Sequence, residues 1–484
     1  MGCPVSPRVV GMPDLDQLRG YYVRSPRWIQ ATGGRLLSAV PPRLLYGRTF
    51  AECVADIERG EHDGAFVERE VRSRLAQVWA AARKTPYYSS LLDGFGLETA
   101  TLRDLEKLPI LKKAEVRMHV DDMLAAPKSQ MDEVMTGGTS SGVALSFYLD
   151  KGRSVKEWAF LTHMWSKCGY KLGDRLAVLG YRGVSHLANP SSAPWSWEPG
   201  TRELRLSPLR LVPRVMDTYL DLIRRYKVAF IYGYPSAISI LASHARNRGW
   251  SPPETLRGVL LMSESIKQFQ REAIREGFGP IPTLAGYGLS EKVAIAGELL
   301  DRPDEYEFEP LYGWAELLDA AGRPVETPGQ QGTLVGTGFV SMGMPLLRYD
   351  TGDLATAVEA PSAANRWRLR VKDIVSCYWQ EYLVTQEGGL VTPLTLYPNN
   401  QVAREFMFVQ EEPGLATILM VPEEGASREE ASHLLDKINK RGDGLMVVRL
   451  QLVDEITPTS RGKRVMVEQH LDLANYGFDF AEKG

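Results

Sequence analysis

Between residues 67 and 82 the apolar side chains recur every third or fourth position: Val67, Val71, Leu75, Val78, Trp79 and Ala82. That spacing lines one face of a helix, and the helix is expected to stop before Pro86. From about residue 130 the pattern becomes short apolar runs separated by helical segments. Runs 175–181, 228–232, 258–262 and 283–285 read as strands, and 212–225, 237–247 and 266–276 read as helices. Such alternation predicts an α/β fold in which parallel or mixed sheets are covered by helices. The longest apolar stretch, Val228 to Leu241, is interrupted by Gly233 and Pro235. It reads as a buried strand, a turn and a helix, too broken for a membrane span.

The pattern changes again near residue 373. Segments 403–410 and 415–421 can pair as strands, 428–441 is helical, and 446–453 is a further strand. This predicts a small α+β C-terminal domain, 372–484, after a large domain, 1–371, whose first 90 residues are a helical, loop-rich approach. A chain of 484 residues, 44% of them hydrophobic, is too long for one ordinary compact domain, which supports the division.

Charge and cysteine content narrow the function classes. The formal net charge is −3, with acidic and basic residues interspersed, so nothing resembles the basic footprint of a nucleic-acid binder. Cys3, Cys53, Cys168 and Cys377 form no closely spaced pair. A disulfide scaffold is not expected, and a cytoplasmic location is. The N-terminus shows no basic segment followed by an apolar run, so no secretory signal is expected. The histidines and cysteines show no zinc-ligand spacing.

Local strings supply the candidate chemistry. Thr136-Gly137-Gly138-Thr139-Ser140-Ser141-Gly142 follows a possible strand at 133–135. Glycines let backbone N–H groups approach a phosphate, and the hydroxyls add donors; a hydrophilic loop is the alternative. No Gly-Lys-Ser/Thr follows, which removes the Walker-type NTPase reading. Gly286-Tyr287-Gly288-Leu289-Ser290-Glu291 follows an apolar strand. Tyr287 can lie against a purine and Glu291 can hold Mg²⁺; a turn into a helix with Glu in its first turn is the alternative. In Arg348-Tyr349-Asp350-Thr351-Gly352-Asp353 an aspartate at a turn glycine can accept hydrogen bonds from ribose hydroxyls; an exposed hairpin turn is the alternative. Thr459-Ser460-Arg461-Gly462-Lys463-Arg464 presents a lysine beside a glycine. Such a cation can neutralise charge as a carboxylate attacks phosphorus, and a solvated basic loop is the alternative.

The order of these strings resembles the adenylate-forming superfamily of acyl-CoA synthetases, adenylation domains and luciferases, and most closely its phenylacetate–CoA ligase branch. Within it the chain looks most like proteins of capsular polysaccharide biosynthesis and like the synthetase that adenylylates a deazaflavin coenzyme. Thr85-Pro86-Tyr87-Tyr88, the Leu105-to-Lys113 segment, Tyr232-Gly233-Tyr234-Pro235-Ser236 and Ser263-Glu264-Ser265 extend the resemblance over nearly the whole chain.

The resemblance implies roles. Thr136 to Gly142 would wrap the β- and γ-phosphates of ATP, Gly286 and Tyr287 would line the adenine with Gly288 and Ser290 beside them, and Glu291 would serve Mg²⁺. Asp353 would hold the ribose, Arg370 would reach the ribose or phosphates, Lys372 would be the hinge of a mobile small domain, and Lys463 would be the adenylation lysine. Departures are Val143-Ala144 where Lys-Pro is usual, Ser290 for threonine, Leu369 for glycine and Lys372 for aspartate.

The acid pocket would be built from 181–197, 232–236 and 286–287, with Tyr181, Tyr232, Tyr234 and Pro235 on its walls. His186, Trp195 and Trp197 make the region aromatic, which suits a flat acid or a plain aromatic core equally. The expected activity is ATP-dependent conversion of a small carboxylic acid, an aromatic one included, to acyl-AMP and then to a thioester with CoA. Transfer to an amine, hydroxyl or carrier protein, adenylylation of a hydroxyl, and a non-catalytic binding protein of the same fold are the alternatives.

Overall fold

The computed structural model describes residues 46–97, 100–135, 145–180, 193–375, 382–397, 402–423, 425–456 and 466–476. Helices α1 (Gly47–Gly60), α2 (Gly64–Ala82) and α3 (Pro86–Gly94) open it. Helix α2 buries Val67, Val71, Leu75, Val78, Trp79 and Ala82, the periodic set read from the sequence. Its start is set by Asp63, which accepts the Phe66 amide, and α3 is capped by Thr85, which accepts the Tyr88 amide, with Pro86 in the first turn.

Strands β1 (Met131–Met135) and β2 (Ser146–Asp150) form an antiparallel pair in which Met135 faces Ser146. The Gly/Ser/Thr loop joins them and lies outside the described residues. Helix α4 (Arg153–Ser166) then leads to β3 (Leu176–Leu179), β4 (Trp195–Glu198) and β5 (Glu203–Leu206). After α5 (Pro213–Arg225) come β6 (Phe230–Gly233), α6 (Pro235–Asn247), β7 (Gly258–Leu261), α7 (Gln268–Phe278) and β8 (Thr283–Gly288). The chain continues as β9 (Ile295–Leu299), β10 (Arg302–Phe308), β11 (Gly313–Leu318), β12 (Gln331–Gly338), β13 (Tyr349–Glu359) and β14 (Arg370–Val375).

These strands make one 12-stranded sheet in the order β11-β12-β13-β14-β10-β9-β8-β7-β6-β3-β5-β4. The stretch β5-β3-β6-β7-β8 is parallel, and everything from β8 through β9 to β11 is antiparallel. Strand β8 is the junction between the two halves. In open α/β sheets ligands collect outside the carboxyl ends of the parallel strands, and β8 ends on that side.

Alternate residues of the parallel strands serve opposite faces. Leu176, Val178, Phe230, Leu260 and Leu284 join a core with α1, α2 and α4. Ala177, Leu179, Ile231, Val259, Leu261 and Ala285 join a second core with α5, α6 and α7. This two-sided burial explains why the strands read as continuous apolar runs. Gly233 is required where β6 passes β3: a Cβ there would stand 2.0 Å from the Leu179 carbonyl oxygen.

The C-terminal part has its own core. Strands β15 (Leu383–Val384) and β16 (Leu390–Val391) pair, and β17 (Ala403–Glu412), β18 (Leu415–Pro422), β19 (Val447–Leu452) and β20 (Val467–Gln469) form a four-stranded sheet against α8 (Arg428–Arg441). Strand β14 continues to Val375 within the large sheet, so the expected boundary at 371/372 falls inside a strand. Among the described residues no helix is long and apolar enough to cross a membrane.

Candidate active site

Strand β8 extends through Gly288, so Gly286-Tyr287-Gly288 is the end of the junction strand, and the turn at 289–294 leads into β9 and not into a helix. The turn is braced at Lys292, whose φ is +60°. Its amide donates to the Leu289 carbonyl at 3.2 Å, and its ammonium lies 2.6 Å from Glu157 on α4. Glu291 is buried in this turn, whereas Ser290 is exposed.

The Arg-Tyr-Asp-Thr-Gly-Asp string opens β13. Arg348, 3% exposed, donates to both oxygens of Glu316 at 3.2 and 3.0 Å and to the Glu106 and Leu108 carbonyls, each at 2.7 Å. The N-terminal segment therefore docks on this string. The Leu111 amide donates to the Arg348 carbonyl at 2.9 Å, and the Asp350 amide donates to the Leu111 carbonyl at 3.0 Å. Those two bonds clamp the backbone on either side of Tyr349. Lys112 adds an ion pair with Asp350 at 2.6 Å. The Asp353 amide donates to Thr351 Oγ1 at 3.1 Å.

The two strings brace each other reciprocally. Tyr287 donates its phenolic proton to Asp353 Oδ2 at 2.7 Å, and Tyr349 donates its own to Glu291 Oε1 at 2.7 Å. Burial and the Asp353 charge hold the Tyr287 hydroxyl well above its usual pKa, so it remains a donor. Asp353 and Glu291 are both buried. Among the described residues, Glu291 Oε2 takes no hydrogen bond or ion pair, and no group of three or more His, Cys, Asp or Glu side chains converges. A lone hard carboxylate oxygen suits a cation that completes its shell with water and phosphate oxygens, the usual Mg²⁺ arrangement.

A cavity opens beside this brace, lined by Tyr287, Asp353, Tyr306, Glu264 and both Gly286 and Gly288. A Cβ on Gly286 would meet Met262 Sδ at 2.2 Å, so a side chain here requires the methionine to shift. Glu264 is the residue that carried no role in the sequence. Its oxygens accept the Ser236 amide at 3.0 Å and the Ser236 hydroxyl at 2.9 Å, at the start of α6. Burial pushes its carboxyl up to about 6 against these bonds. Its place in Ser263-Glu264-Ser265, one of the recognised strings, was the available signal. Tyr382 reaches the same corner, where Gln270 donates to its hydroxyl at 3.3 Å.

Other expected residues lie apart from this cavity. Arg370 is held by Glu307 at 2.8 Å and Glu359 at 3.1 Å and is not part of the cavity wall. It stands opposite Glu307 on β10, whereas the neighbouring pair is Val371 and Tyr306, and only Tyr306 faces the cavity. Burial raises the Glu307 carboxyl, but Arg368 and Arg370 together bring it below its ordinary value. Lys372 is exposed within β14. Tyr232 packs on Trp165, with ring centroids 4.8 Å apart, while Tyr234 and buried Pro235 begin α6 against the other core. Trp197 stacks on Tyr226 at 4.6 Å, with Trp195 beside it, and both are half-buried against the second core. Thr136 to Gly142, Tyr181, His186 and Lys463 lie outside the described residues.

No protein-family model matches the chain. Protein CapK of Staphylococcus aureus is 21% identical over 391 residues, covering 79% of this chain and 84% of that one. The phenylacetate–coenzyme A ligase of Thermus thermophilus is 25% identical over 329 residues, 64% of this chain and 69% of that one. The chain is similar in sequence to phenylacetate–coenzyme A ligases and to CapK. The fold agrees: a crystal structure of 2-hydroxyisobutyryl-CoA ligase superposes with a TM-score of 0.53 at 18% identity, covering 86% of this chain and 92% of that one. That structure holds 2-HIB-AMP and CoA.

Proposed function

We propose that this protein is an ATP-dependent, acid-activating ligase that converts a small carboxylic acid to acyl-AMP, releasing pyrophosphate, and then to a thioester with CoA. The observation that carries the reading is the reciprocal brace: a flat ring, Tyr287, and a ribose-type acceptor, Asp353, line one cavity, and the cation-type carboxylate Glu291 is tied to the same two strings beside it. Tyr287 lies along the adenine and Asp353 accepts the ribose hydroxyls. Glu291 serves Mg²⁺ through Oε2, and that ion supplies charge neutralisation at the phosphates when bound. The protein's main task is to hold a carboxylate anion against an anionic triphosphate in reacting geometry.

Three assignments complete the reading. The loop 136–142 wraps the outer phosphates, Arg370 leaves Glu307 and Glu359 to meet the ribose or phosphates, and Lys463 approaches the reacting carboxylate. The part of the chain after β14 is the small domain. Aryl acids of the phenylacetate kind are the substrates to test first, because the relatives include phenylacetate–coenzyme A ligases.

The test is AMP release with a panel of aryl and aliphatic acids, each run with Mg²⁺ and ATP, with and without CoA. AMP formation that requires both an acid and CoA is expected. AMP formed with an amine, hydroxyl or carrier-protein acceptor and not with CoA would move the chain to the second transfer class. No ATP–pyrophosphate exchange with any acid would overturn the reading in favour of a binding protein.

A further inference from the structure

Tyr349 stands out because it is not part of the cavity wall, yet it holds the carboxylate assigned to the cation. It is 2% exposed and its phenol reaches Glu291 Oε1 at 2.7 Å. Its backbone is clamped from both sides by Leu111, and the preceding Arg348 is anchored to Glu316 and to two carbonyls of the N-terminal segment. The phenol is thus a fixed donor on a rigid strand. Glu291, in contrast, sits in a turn, and among the described residues this phenol is its hydrogen-bond partner. A carboxylate in a turn has rotational freedom that a single fixed donor removes.

We propose that Tyr349 is a positioning residue for the cation: by occupying Oε1 it fixes the Glu291 carboxylate plane and leaves Oε2 directed at the metal–nucleotide complex. The inference rests on the adenylation reading above. Groups that orient a metal-binding side chain typically change metal affinity by about 10–100-fold when removed. The other phenol of the brace, Tyr287, acts on Asp353 and so belongs to the ribose and not to the cation. The two tyrosines therefore divide the labour: one sets nucleotide affinity, the other metal affinity.

The experiment compares the intact enzyme with Tyr349→Phe. Mn²⁺ binding is followed by electron paramagnetic resonance in the presence of a non-hydrolysable ATP analogue, and analogue binding without divalent metal is measured separately. The expected result is Mn²⁺ affinity weaker by about 10–100-fold with metal-free analogue affinity within about twofold of the parent. Equal Mn²⁺ affinity in a folded Tyr349→Phe enzyme overturns the proposal. Loss of metal-free analogue affinity by the same factor also overturns it, since that is what a merely structural role would give. If Tyr349→Phe does not fold, Glu291→Gln is measured in the same two ways. Mn²⁺ affinity weaker by about tenfold or more at unchanged metal-free analogue affinity supports action through the Glu291 carboxylate, and parent-like Mn²⁺ affinity overturns the proposal. Should the parent itself bind no metal–nucleotide complex, the adenylation reading fails first, and the two failures are distinct.

Discussion

The phenol of Tyr349 donates to Glu291 across 58 positions of sequence, while that of Tyr287 donates to Asp353 across 66. Each string thus supplies the proton that orders the other's carboxylate. Each carboxylate has its own donor, so a single substitution should act on one function of the pair.

Tyr287→Phe keeps the ring and removes the donor to Asp353. Hydrogen bonds to charged groups contribute about 1.5–3 kcal/mol, so KM for ATP should rise by roughly tenfold or more in ATP–pyrophosphate exchange, with a smaller change in kcat. A fall in kcat at unchanged KM would show that the phenol serves the reacting centre and not the nucleotide.

Glu264 makes a pH prediction. Its folded-state pKa, about 6, lies above its ordinary value of 4.5. The folded protein then holds this proton more tightly than the unfolded chain. Stability from this group is greatest below pH 4.5 and falls as pH rises toward 6. Above that the charged, buried carboxylate costs about 2 kcal/mol. Glu264→Gln should therefore stabilise the protein at pH 8 by up to about that amount and change little near pH 4.5. Urea unfolding at both pH values checks this. Destabilisation at pH 8 would show that the bonds from Ser236 need the charge.

Arg348 and Glu316 form a buried bidentate pair, and burial holds the Glu316 carboxyl above its ordinary value even with Arg348 beside it. Arg348→Met strands that carboxyl and should cost about 3–5 kcal/mol. Arg348→Met/Glu316→Leu should recover part of the loss, because replacing both partners by apolar groups is far milder than removing one. It should not recover all, since the Glu106 and Leu108 carbonyls remain without their donor. Denaturant melts of the single and double variants measure both. Full recovery would mean that docking of the N-terminal segment contributes nothing to stability.

Much of this fold was legible because apolar periodicity is local. Helix α2 and strands β3, β6 and β7 appear where their burial patterns lie, and α8 spans 428–441 as read. The antiparallel half, β9 to β13, was not read as strands. Arg302-Pro303-Asp304-Glu305 in β10 is polar at its exposed end and lacks the alternation that marks a strand. The chemistry was legible as strings, but not their connections. That Arg348 reaches Glu106, 242 positions away, or that Glu264 meets Ser236, is a property of packing that no local pattern carries. Arg370 shows the converse: its string matched, yet its side chain is engaged by Glu307 and Glu359.

Lys463 is expected to act only on the first half-reaction. Lys463→Ala should lower acyl-AMP formation by about two to three orders of magnitude, the scale of one lost transition-state contact. Thiolysis of supplied acyl-AMP should fall much less. Equal loss in both steps, measured by single-turnover assays, would remove the lysine from the adenylation role.

Lys372 was expected to be a hinge, and a proline there to freeze the small domain while adenylation survived. Its position in β14 changes that expectation. Lys372 pairs with Glu305 on β10 and with Thr356 on β13, so it has a strand neighbour on either side. Proline removes the ladder donor and is tolerated essentially only on edge strands. Asp373, the next residue, has a φ of +51°, so the ladder is already distorted one position beyond the expected pivot. Lys372→Pro should therefore destabilise the large sheet and lower both half-reactions together. Lys372→Ala keeps the ladder and removes only an exposed side chain, so it should leave the melting temperature near the parent value. Thermal melts and single-turnover measurements of each step on both variants decide the matter. A Lys372→Pro protein that melts with the parent, forms acyl-AMP at the parent rate and fails only in transfer would require β14 to part from its neighbours during turnover. That outcome would restore Lys372 as the pivot.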